Sequence, residues 1–174
     1  LTVTNTNDAP TLATAQADAS TAEDALYTLD VSGNFADVDV GDSLSYTATG
    51  MPTTMTMSTA GVLSGTPVNA DVAAHTVVVT ATDGTASVTD TFDVTVTNSN
   101  DAPTVASANS AASTAEDAAY SLDASGTCTD VDASDTMSYT ISGGPSTITA
   151  TTAGVISGTP VNADVGAHTI TVTC

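Results

Sequence analysis

The sequence contains no lysine and no arginine, whereas it has 20 aspartate and glutamate residues and a formal net charge of −20 at pH 7. A chain without basic side chains cannot form the positive patch that nucleic acid or an anionic membrane surface requires. We therefore expect no nucleic-acid partner. The carboxylates also lack basic side chains to neutralise them, so a bound cation is the natural way to bring several of them together in one folded loop.

Aromatic residues and long apolar runs are also scarce. Aromatics make up 3% of the chain, Trp is absent, and hydrophobic residues reach 41%. That apolar fraction is enough for a packed core, which argues against disorder, but the core must be built mainly from aliphatic side chains. No apolar run approaches the roughly 18 residues of a membrane-spanning helix. We therefore expect no insertion into a membrane. No secretory leader is visible either, so a secreted protein would be represented here by its mature part.

The chain consists of two copies of one sequence, offset by 93 residues. Residues 1–81 and 94–174 share 52 identities in 81 positions, without an insertion or deletion. Self-similarity of this kind indicates tandem copies of one domain. We predict a terminal strand and linker at 1–10, a first repeat at 11–98, a linker at 99–103 and an incomplete second repeat at 104–174.

Apolar and polar residues alternate within each repeat, which is typical of half-buried strands. In the first repeat this holds for residues 27–31, 44–48, 77–81 and 92–96. Turn sequences such as Val40-Gly41-Asp42 separate the segments. About seven short strands per repeat indicate an all-β chain of two tandem antiparallel Ig-like sandwiches. We interpret the alanine-rich stretch 15–25 as an edge strand and loop.

Three aspartates fall within six residues in each repeat. They are Asp37, Asp39 and Asp42 in the first repeat, and Asp130, Asp132 and Asp135 in the second. A single Asp-x-Asp would be explained well enough by an acidic turn solvated by water. Here the cluster is repeated in a chain without cationic side chains, which favours a hard divalent ion such as Ca²⁺.

The order of motifs resembles that of a cadherin-like repeat. It runs from Asn-Asp-x-Pro at 7–10 and Glu23 through F-x-D-x-D-x-G-D-x-L-x-Y at 35–46 to A-G-V-L-S-G-T-P at 60–67 and V-x-V-T-A-T-D-G at 77–84. More narrowly, it is similar to the dystroglycan-type cadherin-like and Ig repeats of large bacterial and archaeal surface proteins. The resemblance implies an Ig-like sandwich, an extracellular or cell-surface location, and a role in adhesion or in extended surface structures.

The resemblance also implies that Ca²⁺ stiffens the joints between repeats, with ligands from the loops of adjoining domains. At the start of the first repeat the implied ligands are Asn7, Asp8, Asp37, Asp39 and Asp83, with Asp42 as a further candidate. At the joint they are Glu23, Asp71, Asn100, Asp101, Asp130 and Asp132, with Asp135 as a further candidate. The second repeat stops before a counterpart of Asp83, so one carboxylate is missing there.

The two cysteines, Cys128 and Cys174, predict one disulfide. They stand at the positions of Phe35 and Ala81 in the first repeat. Cys174 continues the inward-facing series of Ile170 and Val172. Cys128 replaces an aromatic residue that would also face the core, at the end of an earlier strand, and in an Ig-like sandwich the two strands lie in opposite sheets. The bridge would imply an oxidising compartment. A pair of free buried thiols is the alternative.

The two ends of the chain are complementary. The second repeat stops at the counterpart of residue 81, whereas residues 1–5 match residues 94–98, the last strand of the first repeat. We predict that Leu1 and Val3 of one copy complete the second sandwich of another by strand addition, which propagates head to tail. A window cut from a longer tandem array is the alternative. The same joint would bring together residues of two copies as a calcium site: Glu116 and Asp164 from one, and Asn7, Asp8, Asp37, Asp39 and Asp83 from the next.

These observations predict a structural subunit of an extracellular filament, stalk or adhesin rather than an enzyme. Paired carboxylates also occur in glycosidases, but the chain lacks an aromatic platform for sugar and has no arginine. The alternative is an adhesion module that binds carbohydrate, including glycans, or a protein such as a surface receptor. Because the repeats match without an insertion, we favour the structural role, with other copies of the chain as partners.

Overall fold

The computed structural model describes residues 1–39 and 41–174 and is built from β-strands and short 3₁₀ turns. Val40, which belongs to one of the predicted turns, lies outside the described residues. None of the described helices is long and apolar enough to cross a membrane. The chain divides into two compact units, Leu1–Ser99 and Asn100–Cys174, and each is described by itself below.

The described residues of the first unit form nine strands. They are β1 (Thr11–Leu12), β2 (Ala19–Ala22), β3 (Tyr27–Asp30), β4 (Phe35–Ala36), β5 (Ser45–Thr49), β6 (Met55–Met57), β7 (Val62–Gly65), β8 (Ala74–Thr82) and β9 (Ser87–Thr97). One sheet has the order β2-β9-β8-β5, the second has the order β3-β7-β6, and β1 pairs with β4. All pairs are antiparallel except β2 with β9. β2 lies within the stretch that the sequence analysis interpreted as an edge strand and loop.

The hairpin of β8 and β9 supplies much of the core of this unit. Its strands alternate strictly, and the inward residues Val77, Val79 and Val94 are fully buried. β-branched side chains suit this position because they pack well on a pleated surface. Leu63 of the opposite sheet is also fully buried in the same core. Apolar residues of both sheets thus meet between them, as the alternation predicts for a sandwich.

The second unit repeats this plan with seven strands. They are β10 (Thr104–Val105), β11 (Tyr120–Asp123), β12 (Cys128–Thr129), β13 (Thr140–Gly143), β14 (Ile148–Ala150), β15 (Val155–Gly158) and β16 (Ile170–Thr173). The sheets have the orders β11-β15-β14, β13-β16 and β10-β12. The buried core is smaller and centres on Ala124, Ile148 and Ile156.

The two units differ at the place that β9 occupies in the first unit. Residues 112–115 have the same sequence as β2, Ala-Ser-Thr-Ala, yet they form no strand and are exposed. β2 is a strand because it pairs with β9, from Ala19 opposite Val94 to Ala22 opposite Thr97. The same four residues therefore become a strand only where a partner strand supplies hydrogen bonds.

A disulfide joins Cys128 to Cys174 in the second unit, in agreement with the pairing predicted from the sequence. Cys128 lies in β12, and Cys174 directly follows β16. The bridge thus ties the end of β16 to a strand of another sheet, at the positions that Phe35 and Ala81 fill in the first unit.

Candidate metal centre

Strand pairing brings the predicted ligands of the first unit together. β1 and β4 are antiparallel, with Thr11 opposite Ala36. The residues just before β1 therefore lie beside those just after β4. This places the Asn7-Asp8 segment against the Asp37–Asp39 loop, although 28 residues separate the two stretches in the sequence.

Hydrogen bonds hold this arrangement in place. The N–H of Asp8 donates to Oδ2 of Asp39 at 2.7 Å, and the N–H of Asp39 donates to Oδ1 of Asp37 at 3.0 Å. Asp37, Asp39 and Asp42 each offer a carboxylate oxygen, and these atoms all lie within 4.8 Å of one another. The geometry thus gathers three of the six predicted ligands at one point.

Asp83 reaches the same region from the turn between β8 and β9. Asn7 Nδ2 donates to its Oδ2 at 3.0 Å, while the N–H groups of Thr85 and Ala86 donate to its Oδ1 at 2.6 and 2.7 Å. The N–H groups of Ala86 and Thr85, followed by Asn7, lower the pKa of Asp83 below its usual value. Asp83 is therefore ionised at neutral pH. It is hydrogen-bonded to Asn7, a residue predicted to share its metal site.

The electrostatics of the cluster favour a cation. Asp39 is 7% exposed, and Oδ2 of Asp37 is buried without a hydrogen-bond partner. An unpaired buried carboxylate oxygen costs free energy, and neighbouring carboxylates repel one another at this distance. Because the candidate ligands offer carboxylate and side-chain amide oxygens, the donor set fits Ca²⁺ or another hard divalent ion.

The second unit contains the same constellation. The N–H of Asp101 donates to Oδ2 of Asp132 at 2.7 Å, and the N–H of Asp132 donates to Oδ1 of Asp130 at 3.0 Å. Oxygens of Asp130, Asp132 and Asp135 again lie within 4.8 Å of one another, and Asp132 is 2% exposed. Asn100 Nδ2 donates to the main-chain oxygen of Asp101, just as Asn7 does to Asp8.

Glu23 lies directly after β2. It is 2% exposed; its Oε1 accepts from the N–H of Ser99 at 3.0 Å, and its Oε2 is buried without a partner. Its counterpart Glu116 is exposed. A ligand role for either glutamate stays a prediction, and the half-satisfied carboxylate of Glu23 fits such a role.

Asp71 and Asp164 have a different environment from the clusters. Both oxygens of Asp71 are engaged, and it is 1% exposed. They accept from the Thr53 N–H and hydroxyl, the Thr54 hydroxyl and the Val68 N–H at 2.7–3.3 Å. Oδ2 of Asp164 accepts from the Thr147 hydroxyl and the Val161 N–H. Hydrogen bonds thus satisfy both oxygens of Asp71 and one oxygen of Asp164. The metal role predicted for both stays a prediction.

Asp90 is a buried carboxylate that the sequence analysis did not single out. It lies on β9, is 6% exposed, and its Oδ2 accepts from the N–H of Gln16 at 2.7 Å. The bond fixes the connection between β1 and β2 on the sandwich. The sequence could have identified it, because Asp90 takes an inward position in the alternating pattern of β9, between Val88 and Phe92.

Comparison with known proteins places the chain in a family. Residues 9–97 and 102–174 match the family described as "Putative Ig domain". Since the two matches span nearly the whole chain, it belongs to this family of Ig-like domains. No curated protein matches the sequence.

One solved structure, of a cadherin, supports the fold. The Drosophila N-cadherin EC1-4 structure matches 96% of this chain and 48% of its own, with 15% identity and a TM-score of 0.55. An endo-fucoidan hydrolase of glycoside hydrolase family 107 matches 98% of this chain at 24% identity, with a TM-score of 0.47, and this chain spans 29% of the enzyme. Titin domains z1z2 in complex with telethonin match at 14% identity, covering 98% of this chain and 91% of theirs, with a TM-score of 0.39. The cadherin match supports a cadherin-like sandwich; the other two are too distant to carry an argument.

Proposed function

We propose that this chain is a non-catalytic structural segment of an extracellular filament, stalk or adhesin, and that Ca²⁺ stiffens its repeats. The observation that carries the proposal is the pair of matching carboxylate clusters, Asp37-Asp39-Asp42 and Asp130-Asp132-Asp135, one at the start of each Ig-like unit. The disulfide supports an oxidising, extracellular compartment. The family and the cadherin-like fold support a surface structural or adhesive module.

In this proposal each ion is held at the start of a unit and at the end of the unit before it. Asn7, Asp8, Asp37, Asp39 and Asp83 serve the start of the first unit. Asn100, Asp101, Asp130 and Asp132 serve the start of the second, with Glu23 as the ligand from the end of the first. Asp42 and Asp135 are additional ligands. Joining two domains through one ion restricts their relative motion, which suits a stiff array.

Calcium titration of single variants tests the site. Asp39→Asn and Asp132→Asn each remove one cluster charge with little change in shape, so we expect each to weaken Ca²⁺ binding at its own cluster by at least about tenfold, or about 1.4 kcal/mol. Asp93→Asn is the matched control, because it removes the same charge from the middle of β9. Isothermal titration measures the result. Equal Ca²⁺ affinity in all three variants, or no binding by the parent chain, would reject the metal centre.

We further propose that copies assemble head to tail by strand donation. The second unit has an open groove of about 900 Å³ beside Leu122, Ile156 and Ile170. Leu1 and Val3 are exposed. Their counterparts Val94 and Val96 are buried at 0% and 2% in the first unit. The docked strand would bring Glu116 and Asp164 of one copy towards the Asn7-Asp8 segment and its aspartates in the next.

Deleting residues 1–5 tests donation by this segment. We expect the shortened chain to remain folded, because these residues lie outside every strand, but to remain monomeric where the parent chain assembles. A Leu1→Ser, Val3→Ser double variant keeps the length and removes the apolar side chains, and should behave in the same way. Thr2→Ser is the control. Electron micrographs and sedimentation velocity report assembly, and normal fibres from the shortened chain would reject donation by residues 1–5.

A further inference from the structure

Two aspartates at equivalent positions of the repeats have a left-handed backbone. Among the described residues other than glycine, only Asp24, with φ 57°, and Asp117, with φ 60°, have a positive φ. Residues other than glycine seldom adopt this region, and aspartate and asparagine are among those found there most often. The conformation is therefore a shared property of the turns that follow Glu23 and Glu116.

In the first unit this turn carries the chain from one sheet of the sandwich to the other. The N–H of Glu23 donates to the main-chain oxygen of Thr97 at 3.0 Å, which continues the pairing of β2 with β9. The N–H of Asp24 then donates to the main-chain oxygen of Pro67 at 2.8 Å, just beyond β7 of the other sheet. The backbone around Glu23 is thus held by hydrogen bonds on both sides of the sandwich.

The side chain that leaves this turn is buried with one oxygen unsatisfied. Glu23 is 2% exposed, its Oε1 accepts from the N–H of Ser99 at 3.0 Å, and its Oε2 has no hydrogen-bond partner. Burial of an unpaired carboxylate oxygen costs free energy. A side chain free to rotate would place this oxygen in water, so the surrounding structure must hold Glu23 in this position.

The second unit shows that the turn does not depend on burial of the glutamate. The N–H of Asp117 donates to the main-chain oxygen of Pro160 at 2.8 Å, as Asp24 does to Pro67. Glu116 is nevertheless exposed. The left-handed turn is therefore a feature of the local chain, on which the position of Glu23 in the first unit is built.

We propose that Asp24 is a positioning residue for the Glu23 carboxylate. The left-handed backbone of Asp24 directs the preceding side chain towards the N–H of Ser99 and leaves Oε2 available to a cation. The side chain of Asp24 is exposed, so its backbone conformation and not its charge performs this role. The inference deepens the proposed function and rests on it for the identity of the ion as Ca²⁺.

Hydrogen exchange of the Ca²⁺-free chain, followed by NMR, tests the positioning without the metal. The Ser99 amide should exchange at least about fivefold faster in Asp24→Val, because a β-branched residue populates the left-handed region poorly. Asp24→Asn and Asp24→Gly tolerate that region and should exchange like the parent chain. The amide of Val79 in β8 is the internal reference, since a general loss of stability would accelerate its exchange by the same factor.

Calcium titration of the same variants tests the consequence for the ion. Each is made in the Asp39→Asn chain, so that binding reports the cluster of the second unit. We expect Asp24→Val to bind Ca²⁺ at least about fivefold more weakly, because the competent turn becomes a minor state. Asp24→Gly, which keeps the turn without the carboxylate, should bind like its parent. Asp117→Val is the matched control, because it makes the same change beside an exposed glutamate.

The outcomes separate this inference from the proposed function. Unchanged Ser99 exchange in Asp24→Val, or equally weakened Ca²⁺ binding by Asp24→Val and Asp24→Gly, overturns the positioning role. Full Ca²⁺ affinity in Glu23→Gln rejects Glu23 as a ligand. The Ser99 exchange of the Asp24 variants would still decide whether the turn positions the side chain.

Discussion

At the residue scale, aspartates of the same chain occupy two kinds of environment. Asp37 and Asp39 lie close together in a loop, with a buried oxygen of Asp37 left without a partner. Asp71 and Asp90 are also buried, but hydrogen bonds from the main chain and from threonine hydroxyls hold them. A buried carboxylate saturated by donors stabilises a loop, whereas a cluster short of donors favours a cation.

We predict that Asp71→Asn destabilises the first unit by roughly 1–3 kcal/mol, because an amide cannot accept the four hydrogen bonds that the carboxylate accepts. Urea unfolding followed by circular dichroism measures the change. Asp24→Asn is the control, since Asp24 is exposed and asparagine tolerates its positive φ of 57°. Equal stability of the two variants would contradict the structural role of Asp71.

The same residue predicts a pH dependence. Burial opposes ionisation of Asp71, but hydrogen bonds from the Thr54 and Thr53 hydroxyls and from the Thr53 and Val68 N–H groups outweigh it and lower the pKa to about 2. The unfolded chain binds this proton more readily, so the stabilisation is complete above about pH 4 and is lost as the pH falls towards 2. Urea unfolding of the parent chain between pH 5 and 2 should show this loss. In Asp71→Asn the free energy of unfolding should lack this part of its dependence on pH. An unchanged pH dependence in that variant would contradict the lowered pKa of Asp71.

At the element scale, β9 decides how the sheet around it forms. It pairs with both β2 and β8 and contributes Phe92, Val94 and Val96 to the core. The second unit has no counterpart of β9 among the described residues, and its buried core is correspondingly smaller. The disulfide there ties β16, the strand that would pair with such a counterpart, to β12.

We predict that removing the disulfide destabilises the second unit. Cys128 and Cys174 close a loop of 46 residues, which corresponds to about 2–4 kcal/mol of stability. A Cys128→Ser, Cys174→Ser variant should lower the melting temperature of this unit and leave the first unit unchanged. Differential scanning calorimetry separates the two transitions.

A Cys128→Phe, Cys174→Ala variant is the informative companion, because it installs the residues of the first unit. We expect it to recover part of the lost stability through packing of the aromatic ring. If the Cys128→Ser, Cys174→Ser variant is as stable as the parent chain, the bridge does not stabilise the position of β16.

At the scale of the whole molecule, two similar Ig-like units each contain the same acidic loop. In our proposal Ca²⁺ acts between successive units, so its removal should affect their joint rather than their sandwiches. We predict that chelation leaves the circular dichroism spectrum of the chain unchanged but broadens its pair-distance distribution in small-angle scattering.

The Asp93→Asn chain should respond to chelation like the parent chain, whereas Asp132→Asn should resemble the chelated state even in excess Ca²⁺. Identical scattering curves with Ca²⁺ and with chelator would argue against a stiffened joint.

The sequence by itself determined the repeat, the β-class and the pairing of the two cysteines. Alternation along 77–81 and 92–96 shows which side chains are inward, because successive residues of a strand point to opposite faces. The 93-residue offset equates Cys128 with Phe35 and Cys174 with Ala81. Together with the Ig-like arrangement of the strands, this predicted the bridge, with free buried thiols as the alternative.

Only the tertiary structure decided which carboxylates lie close together and which have their oxygens occupied by hydrogen-bond donors. Asp8 and Asp39 meet through the antiparallel register of β1 and β4, and the four donors around Asp71 come from separate stretches of chain. Residues 19–22 and 112–115 have one sequence and two conformations, because a strand exists only with the partner that supplies its hydrogen bonds. Local sequence specifies which face of a strand is apolar. Pairing between distant segments specifies which residues pack on that face and which strands bond to its edges.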